Sequence, residues 1–396
     1  MKKIAVIGLG YVGLPLAISA AKSGYDVVGV DTNSKIADMI NSGLSPIKDI
    51  SDLEVLEQIT SKKFRATSNF KGIANIDVFV VCVPTPLTLE RKPDLTYITR
   101  AVELISPILK SGCLVILEST VSPGTTRDFL IPLVEQNSGI DKKFLHFAYS
   151  PERIDPSNKD WGLVNTPKLI SAYKEESLKI TYDFYSKFIK SIMECSSLEI
   201  AETAKLLENS FRLINISFIN EVYMFCEKFK IDIREVIKMA ATKPFGFMEF
   251  YPSLGIGGHC IPIDPLYLSD KAKEIGSPSK FIDLADLVNR NMPLYFTDLA
   301  ERKLGNLLNK KIMVLGVAYK PNVADVRETP VESLILELEK KGAKVDWHDE
   351  IVKQWRGQSS SPLNNTYDLA ILATPHDCFD LRSIGSTPLL DTRTSI

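Results

Sequence analysis

A glycine-rich stretch in the second half of the chain ends at a cysteine. It reads Pro-Ser-Leu-Gly-Ile-Gly-Gly-His-Cys over residues 252–260, and Asp264 follows four residues after Cys260. Because glycine has no side chain, the backbone of such a loop can approach a ligand closely. A thiolate delivered there could act as a nucleophile that forms a covalent intermediate. The pattern indicates a nucleophilic Cys260, with a structural cysteine as the alternative.

A lysine and an asparagine are spaced to share one helix face. Residues 198–229 have a helical pattern with few breaking residues, and they include Lys205 and Asn209. Positions i and i+4 lie on the same side of a helix, so the ammonium and the amide could both point at one reacting oxygen. Such donors stabilise developing negative charge. The alternative is an exposed lysine beside a polar cap.

Three glycines near the N-terminus, Gly8, Gly10 and Gly13, form a Gly-x-Gly-x-x-Gly pattern between a predicted strand and a predicted helix. The first makes a tight turn, the second lets a pyrophosphate approach the backbone, and the third allows close helix–strand packing. Asp31 ends the next predicted strand, where a carboxylate binds the free ribose hydroxyl of NAD and repels the phosphate of NADP. The sequence therefore predicts NAD as the cofactor. Lys35 could reach the same ribose, with a solvated lysine as the alternative.

The composition argues against several classes of protein and site. The net charge of −2 gives no electrostatic reason to expect nucleic acid or an anionic membrane as a partner. The six cysteines have no Cys-x-x-Cys spacing and the four histidines form no His-Glu-x-x-His pattern, so neither a disulfide framework nor a metal site is expected. No stretch approaches the ~20 apolar residues of a membrane helix. We therefore expect a cytoplasmic protein without a bound metal.

The first third of the chain alternates short β-branched runs with helical patterns, which is typical of a doubly wound α/β domain. The predicted strands are residues 3–7, 26–30, 78–83, 113–117 and 144–148, and the predicted helices are residues 14–23 and 97–109. Residues 198–308 instead predict helices only, at 198–229, 233–241 and 279–308. An apolar helical segment of this kind is a candidate dimer surface, or else ordinary interdomain core.

The last part of the chain repeats the first in outline, since residues 310–316 parallel 2–8 and residues 342–349 parallel 24–31. Its turn reads Gly316-Val317-Ala318-Tyr319-Lys320 and lacks the other glycines, so we expect a mononucleotide half-site with Lys320 as a phosphate partner. Residues 368–373 predict a further strand, and the Ser- and Asn-rich residues 354–366 predict a mobile loop. The overall prediction is α/β: two Rossmann-like doubly wound domains, 1–197 and 309–396, joined by a central all-helical segment, 198–308.

Seven motifs in order along the chain resemble those of the UDP-glucose/GDP-mannose dehydrogenase family. They are Gly-Leu-Gly-Tyr-Val-Gly-Leu-Pro (8–15), Val-Pro-Thr-Pro (83–86), Glu-Ser-Thr-Val (118–121), Ser-Pro-Glu (150–152), Lys-Leu-Leu-Glu-Asn (205–209), Gly-Gly-His-Cys to Asp (257–264) and Ala-Tyr-Lys to Asp-Val-Arg (318–327). The resemblance implies two successive NAD-dependent oxidations of a sugar C6 alcohol. Cys260 would hold the aldehyde as a thiohemiacetal and the next oxidation level as a thioester, which water hydrolyses to the acid.

The resemblance also implies roles for single side chains. Lys205 and Asn209 would stabilise the oxyanion. Asp264 and Thr120 would orient water and move protons, and Glu152 would be the base for thioester hydrolysis. The residues implied for NAD are Gly8, Gly10, Tyr11, Val12, Gly13, Asp31, Lys35, Pro84, Thr85, Ser119, Thr120 and Arg327. The residues implied for the nucleotide sugar are Glu152, Arg153, Lys205, Asn209, Tyr251, Gly257, Tyr319, Lys320 and Arg393.

Two local departures from the UDP-glucose branch concern the substrate. That branch commonly reads Pro-Glu-Phe-Leu where this chain has Pro-Glu-Arg-Ile at 151–154, and serine where it has His259. These residues resemble those of the branch that acts on UDP-N-acetylhexosamines in bacterial and archaeal surface-polysaccharide pathways. Arg153 could donate to the 2-acetamido group. UDP-N-acetylglucosamine is the first candidate, with UDP-N-acetylmannosamine, UDP-N-acetylgalactosamine and UDP-glucose as alternatives.

Two alternative functions would require only some of these residues. A single-step β-hydroxyacid dehydrogenase shares the N-terminal domain type but needs neither the cysteine nor a second Rossmann-like unit. A non-catalytic scaffold that binds NAD and a nucleotide would not need the full set of polar side chains. For the assembled protein, we expect a homodimer or a higher homo-oligomer.

Overall fold

The computed structural model describes residues 3–154 and 160–394. The chain forms two compact units, residues 1–207 and 208–396, and the boundary between them falls inside one long helix. The domain bounds at 197 and 308 therefore stay a prediction from the sequence. Among the residues so described, no helix is long and apolar enough to cross a membrane.

The first unit is an eight-stranded sheet with helices. Its strands are β1 (Lys3–Ile7), β2 (Asp26–Val30), β3 (Phe64–Thr67), β4 (Val78–Val81), β5 (Leu114–Leu117), β6 (His146–Tyr149), β7 (Lys168–Ala172) and β8 (Ile192–Glu194). Its helices are α1 (Gly13–Lys22), α2 (Ser34–Asn41), α3 (Asp52–Thr60), α4 (Thr96–Ile105), α5 (Ile131–Ser138) and α6 (Glu175–Tyr185). Short helical turns cover Ser106–Ile108 and Lys142–Phe144, and a π-helical stretch, Thr126–Leu130, leads into α5.

The strand order β3-β2-β1-β4-β5-β6-β7-β8 confirms the predicted doubly wound sheet. The first six strands pair in parallel, whereas β7 runs antiparallel to β6. The sequence pattern does not predict β3, β7 and β8, because each is only partly apolar. The antiparallel direction of β7 brings its first residue next to the ends of β5 and β6.

The apolar runs of the central strands reflect burial on both faces of the sheet. In β4, Val78 and Val80 pack into one core cluster, while Phe79 and Val81 pack into another. All four side chains are fully buried. Helices cover both faces of a doubly wound sheet, so neither face keeps a polar side. The strands therefore hold the loops at their carboxyl ends in fixed positions.

The second unit combines helices with a smaller parallel sheet. The chain enters it along α7 (Leu198–Phe229) and continues with α8 (Ile233–Ala241), α9 (Asp264–Glu274), α10 (Lys280–Leu304), β9 (Lys311–Leu315), α11 (Pro330–Lys340), β10 (Lys344–His348), β11 (Gln354–Trp355), β12 (Gln358–Ser359), β13 (Leu369–Leu372) and β14 (Leu389–Asp391). Residues 208–308, all of them described, contain no strand, as the sequence predicts. The sheet order β10-β9-β13-β14, parallel throughout, confirms the second Rossmann-like unit.

The prediction of a mobile loop over residues 354–366 is wrong at its start. There β11 and β12 pair as a short antiparallel hairpin. Arg356 and Gly357 both have positive φ in its turn, at 51° and 72°. The Trp355 ring packs edge-on against Trp347 of β10 at 5.9 Å between centroids. This aromatic contact anchors the hairpin on the sheet, which composition alone does not reveal.

Candidate functional site

The glycine turn after β1 is shaped by two close backbone approaches. Gly8 has φ +92°, and a Cβ on Gly13 would lie 1.9 Å from the carbonyl oxygen of Gly8. A Cβ on Gly10, by contrast, would meet no atom of the described residues within 4 Å. Helix α1 begins at Gly13, and its N-cap residue Val12 supplies no side-chain cap. The turn therefore leaves room beside a helix N-terminus, where backbone N–H groups and the helix dipole favour a phosphate.

Asp31 directly follows β2 and is fixed against this turn. Its Oδ2 accepts a hydrogen bond from the backbone N–H of Leu9 at 3.0 Å, and its Oδ1 accepts one from Asn33 N at 2.9 Å. A carboxylate held at this edge has the position expected for binding an adenosine ribose. Lys35 lies exposed in the first turn of α2, which Asn33 caps. These residues fit the NAD cofactor that the sequence predicts, since they offer a phosphate site and a ribose acceptor.

The loops after β4 and β5 lie at the same carboxyl edge of the sheet. The Ser119 hydroxyl donates to the carbonyl oxygen of Val83 at 2.7 Å, which ties the two loops together. Thr85 is buried and Thr120 is half-buried. Ligands bind at this edge in open α/β sheets. The predicted residues Pro84, Thr85, Ser119 and Thr120 are therefore placed beside the glycine turn.

A buried glutamate of α7 holds the loop that follows Thr120. The Glu202 carboxylate accepts hydrogen bonds from the backbone N–H groups of Gly124 at 2.6 Å and Thr126 at 2.9 Å. Burial raises the pKa of Glu202, and these hydrogen bonds act in the opposite direction. The sequence gives no signal for this residue, because its partners lie more than 70 positions away.

Glu152 follows β6 and is held from two sides. Its Oε1 accepts from the backbone N–H of Arg153 at 2.6 Å and of Ile154 at 2.9 Å, while its Oε2 lies 3.2 Å from the Lys168 ammonium. Arg153 also donates from its guanidinium to the carbonyl oxygen of Pro167 at 3.0 Å. Lys168, the first residue of β7, is a functional candidate that sequence reasoning misses.

In the second unit, the cysteine loop packs tightly on the turn after β9. A Cβ on Gly257 would lie 2.6 Å from the carbonyl oxygen of Glu328, and one on Gly258 would lie 2.9 Å from the Tyr319 ring. Gly258 also donates its N–H to the carbonyl oxygen of Arg327 at 3.0 Å. The two glycines thus allow the backbone of the cysteine loop to pack closely against residues 319–328. They present Cys260, which is exposed, at the end of the loop.

Asp264 joins the cysteine loop to helix α7. Its backbone N–H donates to the carbonyl oxygen of Cys260 at 2.8 Å, and its Oδ2 accepts from Asn209 Nδ2 at 2.6 Å. Asp264 is 3% exposed. The structure therefore brings Asn209 and Asp264 into direct contact beside the cysteine backbone. A buried, amide-bonded carboxylate of this kind can orient a water molecule or exchange a proton.

Lys205 lies one turn before Asn209 on α7 and is 9% exposed. The exposed lysine considered as the alternative is therefore excluded. Burying an ammonium is costly unless it meets a polar or charged partner. A functional position for Lys205 is consistent with its burial.

The remaining predicted contacts lie mostly on the second Rossmann-like unit. Tyr319 and Lys320 follow β9 and are half-buried, whereas Tyr251 is exposed and donates to Glu249. Two arginines form forked ion pairs with neighbouring carboxylates: Arg327 with Asp325 and Arg393 with Asp391. Burial acts to raise the pKa of Asp325, but the bonds from Arg327 lower it overall. Each arginine is thus held in place and partly neutralised.

The acidic residue of the second unit that corresponds to Asp31 is closed off. Asp349 is fully buried, accepts from Val317 N at 2.8 Å, and lies 3.0 Å from His376 Nε2. His376 in turn accepts at Nδ1 from Asn322 N at 2.8 Å. Burial opposes ionisation, yet the bonds from His376 and from backbone N–H groups lower the pKa of Asp349 to about 2. Both oxygens of this carboxylate accept hydrogen bonds inside the protein, so they are not placed to bind a ribose as Asp31 is.

In residues 3–154 and 160–394, no group of three or more histidine, cysteine, aspartate or glutamate side chains is arranged to hold a metal ion.

Comparison with known proteins gives a consistent result over the whole chain. Residues 2–189 match the NAD binding domain, residues 199–291 the central domain and residues 313–395 the UDP binding domain of the UDP-glucose/GDP-mannose dehydrogenase family. The UDP-N-acetyl-D-glucosamine 6-dehydrogenase of Pseudomonas aeruginosa is 35% identical over 95% of this chain and 91% of its own length. The UDP-N-acetyl-D-mannosamine dehydrogenase of Methanococcus maripaludis is 34% identical over 96% of this chain and 87% of its own.

A solved structure shows the same fold. That of the UDP-D-ManNAc dehydrogenase from Pyrococcus horikoshii superimposes with a TM-score of 0.90 at 32% identity, covering 100% of this chain and 96% of its own.

Proposed function

This chain belongs to the UDP-glucose/GDP-mannose dehydrogenase family, and we propose that it oxidises the C6 alcohol of a UDP-N-acetylhexosamine to a carboxylate through a thioester on Cys260. The family and the matched NAD and UDP binding domains make it an NAD-dependent oxidoreductase of nucleotide sugars. The observation that carries the finer proposal is the arrangement around the cysteine. Asp264 bonds both to the backbone of Cys260 and to Asn209.

The chemistry asks for a nucleophile that keeps the aldehyde bound between two oxidations. NAD held at the Gly8–Gly13 turn and Asp31 would supply the hydride acceptor for each oxidation. The Cys260 sulfur adds to the aldehyde carbon and forms a thiohemiacetal, which the second oxidation converts into a thioester. Sulfur suits this role because a thiolate is strongly nucleophilic and a thioester can still be hydrolysed.

Three polar side chains have defined tasks in this proposal. Asn209 has a second amide N–H besides the one given to Asp264, and it can donate to the substrate oxygen. The Lys205 ammonium stabilises the same oxygen when it becomes an oxyanion. Asp264 accepts or returns the proton of the alcohol or water, because its buried carboxylate is held in one orientation by Asn209.

We propose UDP-N-acetylglucosamine as the preferred substrate. The proposal rests on the Pro-Glu-Arg-Ile stretch and His259, which resemble the branch that acts on acetylated hexosamines, and on the relative from Pseudomonas aeruginosa. The relatives named for UDP-N-acetylmannosamine are about equally similar. Arg153, whose guanidinium donates to the carbonyl oxygen of Pro167, is the donor that we propose for the 2-acetamido carbonyl.

The experiment is a substrate panel with two readouts. Purified protein is mixed with NAD and, separately, with UDP-N-acetylglucosamine, its manno and galacto isomers, UDP-glucose and GDP-mannose. NADH release and product mass are then measured. We expect about two NADH per uronic acid, and the highest kcat/KM with UDP-N-acetylglucosamine. One NADH per product would contradict the two-step reaction, and preference for another sugar would overturn the substrate proposal alone.

We further propose that a second copy of this chain covers an apolar face of the helical segment. Along α7, the phenylalanines Phe211, Phe218, Phe225 and Phe229 are between 48% and 68% exposed. Their spacing of seven, seven and four residues places them along one side of the helix over roughly 27 Å. Contiguous exposed apolar patches mark interaction surfaces, and a two-fold axis can pair the same stripe of two chains.

Replacing Phe218 by glutamate is expected to shift the protein from dimer to monomer, because the substitution would bury a charge in the paired stripe. Size-exclusion chromatography with light scattering measures the mass directly. Leu308→Glu is the matched control, since Leu308 is 68% exposed but lies outside the helices. A Phe218→Glu protein that stays dimeric would show that the copies pair elsewhere.

A further inference from the structure

A buried ion cluster lies behind Glu152 in the first unit, and no residue of it except Glu152 was assigned a role from the sequence. The Lys168 Nζ lies 3.2 Å from Glu118 Oε1 and 3.2 Å from Glu152 Oε2. The Lys168 side chain is 3% exposed, that of Glu118 is 0% exposed and that of Glu152 is 11% exposed. Tyr185 donates its hydroxyl to Glu118. The Lys168 ammonium thus pairs with two carboxylates at a site that is almost inaccessible to solvent.

The sheet topology explains how these groups meet. Glu118 directly follows β5, Glu152 follows β6, and Lys168 begins β7, which runs antiparallel to β6. Tyr185 is the last residue of α6. Because β7 runs in the opposite direction to β6, its first residue, Lys168, lies at the same edge of the sheet as the carboxyl ends of β5 and β6. A parallel β7 would have put its first residue at the opposite edge of the sheet.

Lys168 stays charged in this environment. Burial alone would lower the pKa of Lys168, but the carboxylates of Glu118 and Glu152 raise it above its ordinary value. Burial raises the pKa of Glu118 to about 6, although Lys168 acts in the opposite direction. A lysine this deeply buried is rare unless it is paired. Its ammonium is therefore a permanent partner of the two glutamates.

We infer that Lys168 is a positioning residue that holds the Glu152 carboxylate in the orientation needed for thioester hydrolysis. This inference rests on the proposed function, in which Glu152 is the base of that step. Two backbone N–H groups bind Oε1 and the Lys168 ammonium binds Oε2, so rotation of the Glu152 carboxylate about its last bond would break these contacts. Lys168 itself does not touch the substrate.

The step that depends on this orientation is the final one. The water oxygen bonds to the acyl carbon while one of its protons passes to the Glu152 carboxylate. The tetrahedral adduct then collapses, the carbon–sulfur bond breaks, and its electron pair returns to the Cys260 thiolate. The uronic acid leaves, and Glu152 releases its proton to solvent. Both oxidations precede this step and do not use Glu152 as a base.

The test is Lys168→Met in the full-length protein, followed in rapid-mixing experiments. We expect an initial burst of about two NADH per chain, then a steady-state rate lower by about 100-fold, the size typical for loss of a positioned base. Intact-mass measurement should show the acyl adduct accumulating on Cys260. A structural defect alone would reduce the burst and would not trap this adduct.

Two further variants keep the test decisive. Glu118→Gln disturbs the same buried cluster but leaves the contact between Lys168 and Glu152, so it should not trap the adduct. The double variant Lys168→Met/Glu118→Gln removes one charge of each sign. It should trap the adduct even if the single Lys168→Met protein folds poorly.

Turnover of the Lys168 variants without adduct, or equal trapping by Glu118→Gln, would overturn the positioning role. A wild-type protein that gives no acid with any sugar of the panel would instead refute the proposed function.

Discussion

Cys260→Ser is expected to lower uronic acid formation at least about a thousandfold, since a serine hydroxyl is a far weaker nucleophile than a thiolate at neutral pH. Without the thiol, the aldehyde formed by the first oxidation is not held for the second. The variant should release at most one NADH per sugar and give aldehyde, not acid. Product mass and the ratio of NADH to sugar measure both effects.

Cys378→Ser is the matched control for this experiment. Cys378 is also an exposed cysteine of the second unit, but it lies far along the chain from the glycine-rich loop. Its replacement should leave acid formation and the NADH ratio unchanged. Full acid formation by Cys260→Ser would rule out the thioester route, whereas an equal loss in both variants would point to general damage by the substitution.

Gly10→Ala is expected to weaken NAD binding by about 100-fold, or ~2.7 kcal/mol, without lowering the thermal unfolding temperature. Within residues 3–154 and 160–394, no atom would lie within 4 Å of a Cβ at this position, so we expect the folded chain to accept it. The added methyl group would occupy the space into which the pyrophosphate must approach the backbone. Calorimetric titration with NAD and thermal unfolding without NAD separate the two effects.

Gly13→Ala should behave differently from Gly10→Ala. Its Cβ would lie 1.9 Å from the carbonyl oxygen of Gly8, so the backbone must move, and we expect a loss of about 3 kcal/mol in stability. Gly162→Ala is the control, because the nearest atom to its Cβ would be 4.0 Å away and its φ is not positive.

NAD binding by Gly10→Ala at wild-type strength would show that the pyrophosphate does not lie over this turn.

The two Rossmann-like units show how one supersecondary pattern is used differently. Both place a backbone N–H after the first strand against an acidic residue after the second, Leu9 with Asp31 and Val317 with Asp349. In the second unit, His376 contacts Asp349 Oδ2, the same oxygen that accepts from Val317. Asp31 is therefore partly accessible and can accept from a ribose, whereas Asp349 is fully buried.

Features that depend on neighbours along the chain are predictable from the amino-acid sequence. Strand and helix periodicity predicted the doubly wound units, because burial on one or two faces leaves a repeating apolar pattern. The glycine turn and Asp31 were predictable because their spacing follows from one strand, one turn and one helix. Cys260 was predicted from its loop and from the family motifs, and its chemical role stays a prediction.

Contacts between side chains that are distant along the chain follow from the folded arrangement of the strands and helices. Asn209 and Asp264 are 55 residues apart, and Tyr185 and Glu118 are 67 apart. Lys168 reaches both of its glutamates because β7 runs antiparallel to β6, and the sequence pattern predicts neither that strand nor its direction. Local periodicity records how each segment buries its own apolar face. Which polar ends then come together depends on strand order and direction, which are set by the packing of the whole sheet.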